Sequence, residues 1–117
     1  MPGRGTAIGL ERNGELVAGV LYEDYNGANL LMHVASDGSA QWMTPGYLRV
    51  CFEYPFGKLG CKRVTGIVPS INRRALMFDE RLGFKVEARL TDAHPDGDLI
   101  VLSMKRDECR WIRSNHG

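Results

Sequence analysis

Residues 62–84 carry a run of β-branched residues, a Pro-Ser break and an amphipathic stretch closed by glycine, and this punctuation constrains the chain more than any other feature. Val64, Thr65, Ile67 and Val68 predict a strand over Lys62–Val68. Pro69-Ser70 ends it, because proline cannot donate to a ladder. The period then changes over Ile71–Leu82. Ala75, Leu76, Phe78 and Leu82 can pack while Arg73, Arg74, Glu80 and Arg81 are exposed, which predicts a helix. Ser70 or Asn72 can cap its start and Gly83 its end. Phe84–Leu90 reads as the next strand.

The flanks extend this pattern on both sides. Thr6–Glu11 and Glu15–Tyr25 read as strands joined by Asn13-Gly14, a pair that tolerates the positive φ angles of a tight hairpin. Both faces of the second strand are largely apolar, as expected for a central strand. Asn26-Gly27 is a second hairpin signal, followed by a strand over Ala28–Ala35. Thr44 can cap a helix with Pro45 in its first turn, and Tyr47, Leu48, Cys51, Phe52, Phe56 and Leu59 recur at helical spacing. Pro55 should kink that helix, and Gly60 closes it. Thr91–Asp98 reads as a polar loop before a last strand, Leu99–Met104. The tail, Lys105–Ile112, reads as a short helix carrying Cys109, Trp111 and Ile112. The order β-β-β-α-β-α-β-β predicts a single α+β domain with a mostly antiparallel sheet of about six strands and two main helices.

Composition narrows the functional classes. At 117 residues the chain can bury about two-thirds of its surface around one core, too little for two. A net charge of +1 removes the main reason to expect a non-specific nucleic-acid or membrane-surface binder. Three widely spaced cysteines form neither a disulfide framework nor a CxxC pair, which points to a reducing compartment. With no apolar core of a signal peptide near the N-terminus, the expected location is the cytoplasm.

The segment Ile67–Phe84 resembles the strand–helix–strand signature of the GCN5-related N-acetyltransferases. Asn72 at the helix start, Ala75 three positions on, and Leu82-Gly83-Phe84 at the helix end match that pattern. The resemblance runs from the family's second strand to its seventh, roughly Thr6–Met104. It implies an acetyl-CoA-dependent transferase acting on a primary amine of a small molecule, peptide or protein. The family's first strand and first two helices have no counterpart in this sequence, which is either a minimal version or one that starts late, and an acceptor pocket is expected to be more open or completed by a second subunit. The glycine-rich pyrophosphate loop of the family is also absent from Ser36–Thr44.

The resemblance further implies that acetyl-CoA lies between the family's fourth and fifth strands, with its pantetheine amides on the backbone around Val34, Ala35 and Ser36. Asn72 then contacts the cofactor arm or simply caps its helix. Trp42 is a candidate contact in the phosphate-loop region, and Phe78 packs along the cofactor or into the core. Arg73 and Arg74 meet CoA phosphates or only solvent. The amine must lose a proton before it attacks, and His33 on the fourth strand is the candidate base, because imidazole titrates near neutral pH. Glu23 and Asp24 are alternatives. Where many relatives place a tyrosine acid, seven residues after the Asn, this chain has Asp79, expected to be an ionised surface group. His94 is expected to face solvent, and no His or Cys spacing suits a metal. The uncovered apolar sheet and Trp111 predict a homodimer. The competing reading is an inactive structural or interaction protein that keeps the fold and binds CoA or nothing.

Overall fold

The computed structural model describes residues 5–36 and 44–112. Strands β1 (Thr6–Arg12) and β2 (Glu15–Glu23) form a hairpin across Asn13 and Gly14, whose φ angles of 55° and 82° are those the Asn-Gly pair favours. Strand β3 (Leu31–Ser36) pairs antiparallel with β2. Helix α1 (Pro45–Glu53) follows, then β4 (Arg63–Pro69), α2 (Arg73–Leu82), β5 (Lys85–His94) and β6 (Gly97–Lys105). The six strands form one sheet in the order β1-β2-β3-β4-β6-β5, and β3–β4 is its parallel pair.

Local chemistry explains these boundaries. Thr44 accepts a hydrogen bond from the Tyr47 N–H at 3.3 Å, and Pro45 occupies the first turn of α1. Pro55 widens the end of that helix instead of merely bending it. Tyr54–Lys58 forms a π turn, and the Leu59 N–H reaches the Tyr54 carbonyl at 3.0 Å. Asn72, not Ser70, caps α2, its Oδ1 accepting from the Ala75 N–H at 3.1 Å. Gly83 ends α2 at φ 116°, a left-handed position that glycine takes without a Cβ clash.

Both helices lie on one face of the sheet. Ala18, Val20, Tyr22, Met32, Val64, Val68, Ile100, Leu102 and Met104 are buried there, joined by Leu48, Cys51 and Phe52 of α1 and Leu82 of α2. The Tyr22 hydroxyl donates to the Cys51 carbonyl at 2.6 Å, tying β2 to α1. Among the described residues nothing covers the opposite face, where Leu16 and Leu21 are 66% and 39% exposed.

Three expectations change. Asn26-Gly27 does not form a two-residue hairpin: the Asn26 carboxamide oxygen accepts from the N–H groups of Ala28 and Asn29, which stretches the connection and delays β3 until Leu31. The polar stretch Thr91–Asp98 is largely strand, because β5 and β6 continue as a hairpin to Pro95-Asp96, held by Arg89 and the Asp92 N–H on the Asp98 carboxylate. The tail forms only the 3-10 turn Arg106–Glu108, then folds back on its own subunit. Cys109 is buried, and the Trp111 indole N–H donates to the Leu82 carbonyl at 2.8 Å. No helix is long and apolar enough to cross a membrane among the described residues.

Candidate functional site

Strands β3 and β4 meet at a single register pair, Leu31 with Thr65, where the Thr65 N–H donates to the Leu30 carbonyl at 3.0 Å. Beyond it they part. Strand alternation sends the C=O group of Met32, whose N–H closes the pair with Thr65, and the N–H and C=O groups of Val34 and Ser36 toward the gap, while those of His33 and Ala35 serve the ladder to β2. The open edge of β3 is therefore a row of backbone donors and acceptors available to an extended amide-bearing ligand.

The gap is a cleft of about 140 Å³. Its walls are Met32, His33 and Val34 from β3 and Ile67, Val68 and Pro69 from β4. Asn72, Ala75 and Asp79, spaced three and four apart on α2, close the end. Val34, His33 and Asn72, three of the candidate site residues, lie together on the cleft walls. Ser36 contributes its backbone, and Ala35 borders a neighbouring hollow rather than the cleft. Trp42 lies outside the described residues. Phe78 is not on the cleft wall. It packs on the core side of α2, with the Arg74 guanidinium 5.8 Å above its ring. Arg73 and Arg74 are exposed.

Asp79 corrects the expectation most sharply. It is a buried side chain, 8% exposed, and not a solvated one. It points toward the buried Gly66, where an added Cβ would lie 3.4 Å from Asp79 Oδ2. Burial pushes its carboxyl up from 3.8 to about 7, because the charged form loses hydration without gaining a partner among the described residues. The residue was visible in the sequence, but its charge suggested a helix surface. Its spacing of four from Ala75 was the signal that it shares the inner stripe.

His33 sits with its Nε2 3.0 Å from Glu23 Oε1, close enough for an ion pair although not directed as a hydrogen bond. Its ring borders both the cleft and a shallow apolar hollow on the open sheet face, lined in part by Leu16, Val17 and Leu21. His33 thus lies between two hollows, with its Nε2 atom itself buried. The His94 ring nitrogen Nδ1 accepts from the Asp96 N–H at 3.1 Å and belongs to the β5–β6 turn. Among the described residues no cluster of His, Cys, Asp or Glu suits a metal.

A polar latch at the vertex of the cleft is not legible in the sequence. The Thr65 hydroxyl donates to Asn29 Oδ1 at 2.6 Å and accepts from Arg63 Nε and Nη2, while Arg63 also binds Glu87. These side chains come from a loop and two strands, so only the folded chain assembles them.

A sheet that splits after one parallel pairing point, with a capped helix N-terminus over the split, defines the acyl-CoA N-acyltransferase class of fold. In particular, this is the fold of the GCN5-related N-acetyltransferases, as comparison with solved structures shows. A probable acetyltransferase superposes with a TM-score of 0.74 at 20% identity, over 90% of this chain and 64% of that one. The spermidine/spermine N-acetyltransferase SpeG from Vibrio cholerae gives 0.73 at 15% identity, over 88% and 68%. The N-acetyltransferase PseH from Campylobacter jejuni, in complex with acetyl coenzyme A, gives 0.65 at 11%, over 87% and 68%. This chain therefore spans about two-thirds of the length of those proteins. No protein-family model and no curated protein matches the sequence.

Proposed function

We propose that this chain is an N-acetyltransferase of the GCN5-related superfamily, which binds acetyl-CoA along the open edge of β3 and transfers the acetyl group to a primary amine. The observation that carries this reading is the parting of β3 and β4 after Leu31 and Thr65, beside the N-terminus of α2. An extended pantetheine arm has amides spaced to pair with the backbone of Met32 and Val34, and Asn72 stands at the mouth. The Asn72 carboxamide oxygen is held by the Ala75 N–H, which leaves its NH₂ group as the donor for a ligand. Similarity to a protein solved with acetyl coenzyme A supports the same cofactor here.

The chemistry then follows from position. Holding thioester and amine together removes most of the entropic barrier to their meeting. His33, which borders the hollow on the open sheet face, takes the proton from the incoming ammonium, and the Glu23 carboxylate 3.0 Å away stabilises the imidazolium that results. The freed amine attacks the thioester carbonyl carbon, and collapse of the tetrahedral adduct breaks the C–S bond. The same reading includes a homodimer that covers the open face of the sheet.

Isothermal titration with acetyl-CoA tests this directly. Saturable one-to-one binding is expected, and no heat at about 1 mM ligand overturns the reading. Binding without turnover over a panel of primary amines would instead favour a structural or interaction protein that retains the fold.

A further inference from the structure

We propose that Asp79 is the acid that protonates the departing CoA sulfur, an assignment that rests on the acetyl-transfer reading above. The observations are geometric. Asp79 is buried at the inner end of the cleft, next to the residue on β4 that has no side chain, so no side chain from that position stands between its carboxyl and the gap. Gly66 opens that approach, and the side chains of Ile67 and Val68 flank it.

A carboxyl group in an apolar wall has little structural use, since burying it unpaired opposes folding. Its value lies in chemistry that needs a proton away from water. Of the described residues that face the cleft, β3 supplies one other titratable group, His33, while β4 supplies Ile67, Val68 and Pro69 and α2 supplies Asn72 and Ala75, none of which titrates. The two titratable groups divide the work. His33 takes the ammonium's first proton and passes it to solvent, the nitrogen bonds to the acetyl carbon and gives its second proton to the same imidazole, and the C–S electron pair leaves on sulfur. Asp79 delivers its proton to that sulfur, giving CoA thiol and an Asp79 carboxylate, which regains a proton from solvent after product leaves. Burial holds the Asp79 carboxyl in its protonated form up to about pH 7, which supplies the donor at neutral pH.

Hydroxylamine serves as the test acceptor, because it is already unprotonated at neutral pH and reports on thiol release without depending on a known substrate. Release of free CoA is followed with a thiol reagent in the parent, Asp79→Asn and Asp79→Glu proteins, alongside titration with acetyl-CoA. We expect Asp79→Asn to lower turnover at least about 10²-fold with acetyl-CoA affinity changed by less than about threefold. Asp79→Glu should recover part of the rate, and the parent's loss of rate above about pH 7 should vanish in the Asn variant. Turnover in Asp79→Asn equal to the parent's, with the same alkaline limb, overturns the assignment and leaves acetyl transfer standing. A parent that binds no acetyl-CoA overturns both. Carboxyl ¹³C NMR of the parent checks the donor without any variant. A titration midpoint near 7 is expected for Asp79, and one below about pH 5 overturns the assignment.

Discussion

Thr65 donates its hydroxyl to Asn29 Oδ1 at 2.6 Å at the one point where β3 and β4 pair, and the cleft opens from there. Thr65 is buried, and the same hydroxyl accepts from Arg63, so its oxygen is used as both donor and acceptor. Thr65→Val keeps the shape and removes all three bonds. We expect a loss of about 1–2 kcal/mol in urea unfolding, with faster exchange at the Thr65 amide than at amides of the β4–β6 ladder. Unchanged exchange at Thr65 would mean that the latch does not hold the vertex.

Asn72 has two duties that substitution can separate. Asn72→Ala loses the cap, at about 1 kcal/mol of stability, and also the NH₂ group. Asn72→Asp keeps a capping oxygen and loses only the donor. The Asp variant should unfold within a few tenths of a kcal/mol of the parent yet bind acetyl-CoA several-fold more weakly, as roughly 1 kcal/mol for one hydrogen bond predicts. Equal affinity in a stable Asp variant would confine Asn72 to capping.

The stability curve should carry the signature of Asp79. Its carboxyl is raised from 3.8 to about 7 on folding, so the folded state holds more protons than the unfolded state between those values. Stability from the protonated form is therefore complete below pH 3.8 and is lost as pH rises through about 7. Asp79→Asn lacks this slope. Above pH 7 it should be more stable than the parent, by as much as about 4 kcal/mol. Parallel curves for the two proteins across pH 4–8, measured by urea unfolding, would place the carboxyl in water.

His33→Gln removes the base while keeping a polar side chain at the same place. With a primary amine acceptor we expect kcat/KM to fall at least about 10²-fold, with acetyl-CoA binding retained. An unchanged kcat/KM in the folded variant would assign the base to Glu23 or water.

The open sheet face predicts self-association. Sedimentation equilibrium should give twice the chain mass of 13.1 kDa, and Leu21→Asp, on that face, should shift the species toward the single chain. A single 13.1 kDa species at all concentrations would remove the dimer.

The sequence by itself determined the order of elements, the Asn13-Gly14 hairpin, the Thr44-Pro45 and Asn72 caps and the glycine that stops α2. Each of these is a local event, decided by φ, by a missing N–H or by a short side chain reaching its own backbone. Tertiary structure decided what depends on partners distant in the chain. The outer half of the β5–β6 hairpin reads as loop because its polar residues gain strand only by pairing with each other. Trp111 reads as surface to be shared, yet it finds the Leu82 carbonyl 29 residues away within its own subunit. Asp79 is the clearest case. Charge argues for water, whereas the helical phase shared with Asn72, Ala75 and Leu82 fixes it against the sheet. The packing of an entire amphipathic face outweighs the hydration of one carboxyl, which answers by holding its proton.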